Sequence, residues 1–409
     1  MNSTLYVGID VSKDSNQVHA MNYDQKTLLA KSFPNTESGA NNLEVALLKL
    51  LSKHEFENII IVLETTGVYS AHIATYLSAS SKLLFYNALV YLINPKISRN
   101  YNRSFTDMDK TDPKDSFILA DLARVNRLVN VKPFSGSQRL ALTRLTRHRQ
   151  HYAELLSREK TYTLNNVFLK FSGFSIVFSD NFGATAVEIL LEYKTIDEIV
   201  EASLEDLTDF IIKTSKNSFS NPTEVSKKLK AAARNSYRLD KLAYDPINIS
   251  LASSINLIKF YEREIKELDK QILNQVKGLN NSHYNILKSI PGIGPVYAAG
   301  ILAEIGEIDQ FHNDNALAKY AGLTWRKNES GNFKSENTRM TKTGNKYLRY
   351  FLIQATNVAR IHNNEFKLYY TKKFNEVTKY QHKRALALSS RKLVRLIHSL
   401  LRDNRLYQE

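Results

Sequence analysis

Short apolar runs punctuate the first third of the chain and predict strands at 5–10, 17–21, 28–33, 58–64 and 88–93. Apolar residues spaced by three and four predict helices near 38–53, 70–80 and 113–125. The first three strands follow one another too closely for helical crossovers, which makes them an antiparallel meander. Strands preceded by helices come afterwards. A three-stranded meander followed by αβαβα is the order expected of a ribonuclease-H-like α/β fold, here occupying residues 1–130.

The pattern then lengthens. Leu142, Leu145, Tyr152, Leu155, Leu156 and Val167 mark one long helix over 135–172, amid Arg144, Arg147, His148 and Arg149. Leu251, Ile255, Ile258, Ile265, Leu268, Ile272 and Val276 mark a second over 246–277. These stripes suit an antiparallel coiled coil, a dimer seam or packing within one core. Between them, 176–245 is polar and mostly helical, broken at Ser218–Pro222, and no chemical role is assigned to it. The organisation expected is therefore an α/β domain at 1–130, a helical connecting region at 131–280 and a mostly α domain at 281–409.

Two buried-type strands end in an acid. Asp10 closes Leu5-Tyr-Val-Gly-Ile-Asp10, and Glu64 closes Ile59-Ile-Ile-Val-Leu-Glu64. Open α/β sheets place their chemistry at that edge. Asp112 and Asp115 follow in Lys110-Thr-Asp-Pro-Lys-Asp115 at a helix start, where their spacing sets both carboxylates on one face. Each also has an ordinary role there, Asp112 as N-cap before Pro113 and Asp115 as a first-turn acid. Four converging carboxylates need a hard cation between them, which points to magnesium (Mg), with manganese (Mn) as the alternative. A two-metal clamp of that kind activates phosphodiester chemistry.

The last third opens on Ser289-Ile-Pro-Gly-Ile-Gly-Pro295, in which Gly292 and Gly294 form a turn running into a helix. Such a turn exposes backbone amides at the positive helix end and suits a phosphate. It reads as the hairpin of a helix–hairpin–helix element, or as an ordinary glycine turn between helices. Arg326 and Lys327 follow, then a basic stretch with Arg339, Lys342, Lys346 and Arg349. As a group these favour phosphate contact.

The whole-chain charge agrees. The 409 residues carry a net charge of +15, an electrostatic footprint for phosphate backbones. No apolar stretch approaches a bilayer span, no secretory signal is apparent, and a cytoplasmic location is expected. The absence of cysteine excludes disulfides, Cys-ligated zinc and thiol nucleophiles. The ten histidines show no HExxH spacing, and no GxxxxGK[ST] phosphate loop is present.

The carboxylate set, Pro291-Gly-Ile-Gly294, Ala321-Gly-Leu323, Ser330-Gly331 and Lys342-Thr-Gly-Asn-Lys-Tyr-Leu-Arg349 occur in one fixed order. Together they resemble the DEDD transposases of the insertion-sequence 110 family, whose relatives include site-specific DNA invertases. The resemblance covers nearly the whole chain, most strongly 5–125 and 285–360 and least 176–245. It implies a RuvC-like N-terminal domain, a coiled-coil connection and a C-terminal transposase domain with a catalytic serine. By position, Asp10, Glu64, Asp112 and Asp115 become the metal-binding tetrad and Ser330 the nucleophile. It further implies recombination of donor and target double-stranded DNA guided by a structured RNA. The homo-oligomer implied is a dimer assembling to a tetramer with a composite active site. Two positions depart from the family pattern: Thr324-Trp325 stands where a proline is frequent, and Ser116 where alanine is common. Trp325, the only tryptophan, is either a hydrophobic anchor or a base-stacking residue. The alternatives are a dedicated invertase, a metal-dependent RuvC-like nuclease hydrolysing branched DNA with Ser330 structural, and a basic nucleic-acid-binding protein without catalysis.

Overall fold

Strands β1 (Thr4–Val11), β2 (Ser15–Met21) and β3 (Thr27–Pro34) form the antiparallel meander. The computed structural model describes residues 3–65, 67–105, 112–128, 131, 133–134, 137–279, 282–325, 329–330, 333–334 and 340–408. After the meander come α1 (Glu37–Lys53), β4 (Asn58–Glu64), α2 (Ser70–Ala79), α3 (Ser81–Leu84), β5 (Leu89–Ile93), α4 (Pro95–Asn102) and α5 (Asp112–Arg124). Sheet order is β3-β2-β1-β4-β5, with β4 parallel to both β1 and β5. The meander and the parallel strands match the order expected from the sequence. Helices α3 and α4 are additions to it.

β1 and β4 are near-continuously apolar because both faces of the sheet are covered. On one face Leu43, Leu47 and Leu51 of α1 pack on Leu5, Val7, Ile9, Ile59, Ile61 and Leu63. On the other, Leu119, Leu122 and Ala123 of α5 pack on Tyr6, Val62 and Ile93. Gly8 lets α5 sit this close, since a Cβ there would stand 2.0 Å from the Ser116 carbonyl oxygen and 2.4 Å from the Ala120 nitrogen.

Contacts divide the chain into two units, Met1–Thr143 with Val276–Glu409, and Arg144–Gln275. The second unit holds most of α6 (Ser137–Lys170) and of the later α12 (Lys241–Leu279). Between them lie α7 (Phe174–Val177), α8 (Ala184–Glu192), α9 (Ile196–Glu201), α10 (Leu204–Ser215) and α11 (Pro222–Arg234), around Phe171, Phe174, Leu190, Leu207 and Leu251. Arg149 bonds Asp269 at 2.9 Å, Lys160 bonds Glu262 at 2.7 Å and Asn166 bonds Ser250 at 3.1 Å. Rising numbers on α6 meet falling numbers on α12, so the two long helices pair antiparallel within one chain.

The C-terminal part of the first unit has its own core. It comprises α13 (Ser282–Ser289), α14 (Pro295–Ile305), α15 (Asp314–Ala321), α16 (Lys346–His362), α17 (Asn364–Asn375) and α18 (Gln381–Arg402). Leu317, Phe351, Leu352, Phe366, Leu393 and Ile397 fill it. Strands β6 (Glu329–Ser330) and β7 (Phe333–Lys334) pair as a two-stranded ribbon.

Candidate active site

The carboxyl ends of β1 and β4 bring Asp10 and Glu64 together. Ile9 pairs with Leu63 in the parallel register, so the next residue along each strand is an acid. Neighbouring strands lie about 4.8 Å apart. Strand alternation turns both acids to the face carrying Tyr6 and Val62, the face that α5 covers. Both are half-buried.

α5 crosses that face antiparallel to β1. Its last turn is held at the far end, where Arg124 Nη1 donates to the Tyr23 carbonyl at 3.2 Å. Midway, Phe117 meets the His19 ring edge-on at 5.2 Å and Ser116 lies over Gly8. The first turn, which contains Asp112 and Asp115, therefore falls at the Asp10–Glu64 edge. Asp115 is half-buried, and the side chain of Asp112 lies outside the described set.

Asp10, Glu64 and Asp115 offer carboxylate oxygens, the donor type that suits a hard divalent cation. Among the described residues no three acidic, histidine or cysteine side chains form a ligand cluster. Asp10, Glu64 and Asp115, all described, do not by themselves make such a cluster.

Sequence reasoning missed how the edge is braced. Ser98 Oγ donates to Glu64 Oε2. One turn later on α4, Tyr101 donates to Asp121 Oδ2 at 2.6 Å. Asp121 is buried in α5 and also accepts from Gln25 Nε2 and Arg124 Nε. Burial comes first in raising the Tyr101 phenol pKa well above its ordinary value, followed by the hydrogen bond to Asp121. Burial opposes ionisation of Asp121, yet its hydrogen bonds from Tyr101, Gln25 and Arg124 leave its pKa net lowered. The signal available in sequence was Asn94-Pro95, an N-cap followed by a first-turn proline, and Asn94 does cap α4 through the Lys96 amide at 2.9 Å.

The chain on either side of Ser330 packs in the C-terminal core through Leu323 and Met340. Thr341 N donates to the Thr324 carbonyl at 2.8 Å and Trp325 bridges Met340, so the chain leaves and re-enters the domain as an antiparallel pair. Within the β6–β7 ribbon, Ser330 pairs with Phe333. The strands that carry Asp10 and Glu64 and the Leu323 that precedes Ser330 belong to separate hydrophobic cores. Arg326, Lys327 and Arg339 lie outside the described residues, as do Lys110 and Gly331.

The remaining basic positions divide by environment. Lys342 and Lys346 are exposed, with the Lys346 ammonium 4.9 Å from the Tyr347 ring centroid. Arg349 is half-buried, and its Nη1 donates to the carbonyls of Ala321 at 3.0 Å and Lys342 at 3.1 Å. It ties α16 to the start of the basic stretch. Asn345 caps α16 through the Tyr347 and Leu348 amides and reaches Glu304 of α14 at 2.6 Å.

In the turn between α13 and α14, Gly292 adopts φ +89° and would place a Cβ 2.5 Å from the Ala359 Cα. Its backbone is therefore pressed against α16. Gly294 caps α14 without a side-chain bond, and no atom stands within 4 Å of its would-be Cβ. That leaves the helix start approachable by an anion.

Residues 7–169 match the family model DEDD_Tnp_IS110, described as a transposase, and residues 284–371 match that of the transposase IS116/IS110/IS902 family. The chain is 24% identical over 413 residues to the insertion element IS116 uncharacterized 44.8 kDa protein of Streptomyces clavuligerus, covering 98% of this chain and 96% of that one. It is 20% identical over 405 residues to the pilin gene-inverting protein of Moraxella lacunata, covering 98% and 97% respectively. A solved structure of T. thermophilus RuvC with a Holliday junction substrate overlaps at TM-score 0.25 and 11% identity, covering 32% of this chain and 99% of that one. The fold assignment rests on the sheet order instead.

Proposed function

Since the chain belongs to the IS110/IS116 family of transposases, enzymes that cut and rejoin DNA, we propose that it is a serine recombinase acting on double-stranded DNA under the guidance of a structured RNA from its own element. The observation that carries this reading is the register of Asp10 and Glu64, adjacent on parallel strands under the first turn of α5. With Asp112 and Asp115 they would hold Mg or Mn, which supplies charge stabilisation at the scissile phosphate.

Ser330 is the proposed nucleophile. Its Oγ forms a bond to phosphorus as the bond from phosphorus to the leaving sugar oxygen breaks, and that oxygen takes up a proton. Attack by the incoming strand's hydroxyl on the phosphoserine reverses the exchange, so rejoining needs no ATP. Ser330 lies on a two-stranded ribbon, while β1 and β4 belong to a hydrophobic core separate from the one that holds Leu323. That supports a composite site, with the acids of one protomer serving the serine of another in a dimer that assembles to a tetramer. Lys342, Lys346 and the Gly294 turn would contact phosphate, and the reaction would take place in the cytoplasm. Similarity to the Moraxella lacunata protein along nearly the whole chain favours, as a variant with the same chemistry, a dedicated invertase.

The test mixes full-length protein, magnesium, RNA transcribed from the flanking DNA, and labelled donor and target duplexes. A denaturing gel reads covalent protein–DNA adduct for wild type and Ser330→Ala. Adduct in wild type alone, mapped to Ser330 by mass spectrometry, is the expected result. Cleavage without adduct, unchanged in the variant, would make the protein a metal-dependent nuclease.

A further inference from the structure

The sheet edge has a second feature on its α1 side. A cavity of about 500 Å³ opens among the segments that follow β1, β3 and β4. Lys13 comes from the turn after Asp10, and Val68 and Tyr69 come from the segment after Glu64. Tyr69, the N-cap of α2, lines it together with His72 and Tyr76 of that helix, at positions i, i+3 and i+7. Val68 is 51% exposed and Tyr69 45% exposed, so the protein's own core leaves the rim uncovered. Among the described residues, the Lys13 ammonium, the Tyr69 hydroxyl and the His72 ring have no side-chain partner.

We propose that this cavity receives one unpaired nucleotide, its base stacked among Tyr69, His72 and Tyr76 and its phosphate held by Lys13. The volume suits a nucleotide, as small-ligand pockets run from about 300 to 1,000 Å³. Aromatic rings beside a lone cation are the chemistry by which single strands are held, since every base presents a stacking face. A duplex keeps its bases paired and stacked, so only a splayed base enters. Glu37 shares the cavity wall at the start of α1 and repels phosphate there, which leaves Lys13 as the anion end. Both the Lys13 turn and the Tyr69 segment grow directly from strands that end in the acids. A base held here would fix the strand beside the Asp10–Glu64 edge. The proposal rests on the nucleic-acid reading above.

The test uses full-length protein with single-stranded oligonucleotides carrying 5-iodouracil, one DNA and one RNA, crosslinked by light and mapped by mass spectrometry. Adducts on Tyr69, His72 or Tyr76 are expected, and whichever arm gives them identifies the strand as DNA or RNA. Tyr69→Ala should lower the α2 adducts on the order of tenfold, while Tyr69→Phe retains them. Adducts confined to the 342–349 stretch, with binding intact, would overturn the cavity proposal and leave the nucleic-acid reading standing. No binding of either single-stranded oligonucleotide would likewise overturn the cavity proposal alone, because the nucleic-acid reading is tested on duplex DNA and structured RNA above.

Discussion

The Ser98 hydroxyl donates to the Glu64 carboxylate, and it does so from a helix whose next turn holds α5 through Tyr101 and Asp121. α4 therefore braces both sides of the acidic edge, fixing Glu64 directly and the helix of Asp112 and Asp115 indirectly. Removing an orienting partner of this kind commonly costs about 10- to 100-fold in metal affinity or activity. Ser98→Ala should lower single-turnover DNA cleavage within that range, with circular dichroism unchanged, and Ser98→Thr should recover most of it. Equal rates for alanine variant and wild type would remove Ser98 from the machinery.

Gly8 and Gly39 give a paired test of whether the seat of α5 matters beyond stability. A Cβ at Gly39 would stand 2.0 Å from the Pro34 carbonyl oxygen, as crowded as one at Gly8 against Ser116. Both alanine variants should lose about 1–3 kcal/mol of stability, the usual effect of forcing extra volume into a packed site. Only Gly8→Ala displaces α5. At a temperature where both variants are folded, its cleavage rate should fall well below that of Gly39→Ala.

The five strands and the three longer helices of the N-terminal domain were legible because burial on both faces of a sheet writes itself as apolar runs. The acids were legible for the same reason, as charges where an apolar run ends. α4 was not, since its eight residues carry no long apolar stripe and only Asn94-Pro95 announces it. The bracing by Ser98, Tyr101 and Asp121 depends on which helix faces meet, and no periodicity encodes that. Arg349 is another such case: in sequence it is one more cation beside Lys342 and Lys346, while its partners are the backbone carbonyls of Ala321 and Lys342.

That environment separates the basic residues experimentally. Arg349→Ala leaves the Ala321 and Lys342 carbonyls without this donor and should destabilise the C-terminal domain by about 1–3 kcal/mol. Lys342→Ala and Lys346→Ala should leave the melting temperature unchanged. If each lysine touches one phosphate, each variant lowers the slope of log affinity against log salt by about 0.9. Fluorescence anisotropy with one duplex at four salt concentrations, alongside thermal melts, checks both halves. A salt slope unaltered by either lysine change would place phosphate contact elsewhere.

In the second unit, Lys170 is buried, and its ammonium donates to the Leu190 carbonyl at 2.8 Å, the Tyr193 carbonyl at 2.6 Å and Asn248 Oδ1 at 2.6 Å. Three acceptors around three N–H bonds favour the charged form. Burial nevertheless dominates and lowers its pKa from 10.5 to about 8, with Lys194 adding to the shift and Glu198 opposing it. Below pH 8 the lysine is protonated in both folded and unfolded chains. Between about 8 and 10.5 the unfolded chain binds more protons than the folded one, so this group makes stability rise with pH across that window. Lys170→Met should abolish that component. It should also cost about 1–3 kcal/mol at neutral pH, by leaving the Leu190 and Tyr193 carbonyls without this donor. Urea denaturation of wild type and variant at pH 7, 8, 9 and 10 isolates the component, because their difference cancels the other titrating groups. A difference that does not change with pH would mean that the three hydrogen bonds hold the lysine at its ordinary pKa.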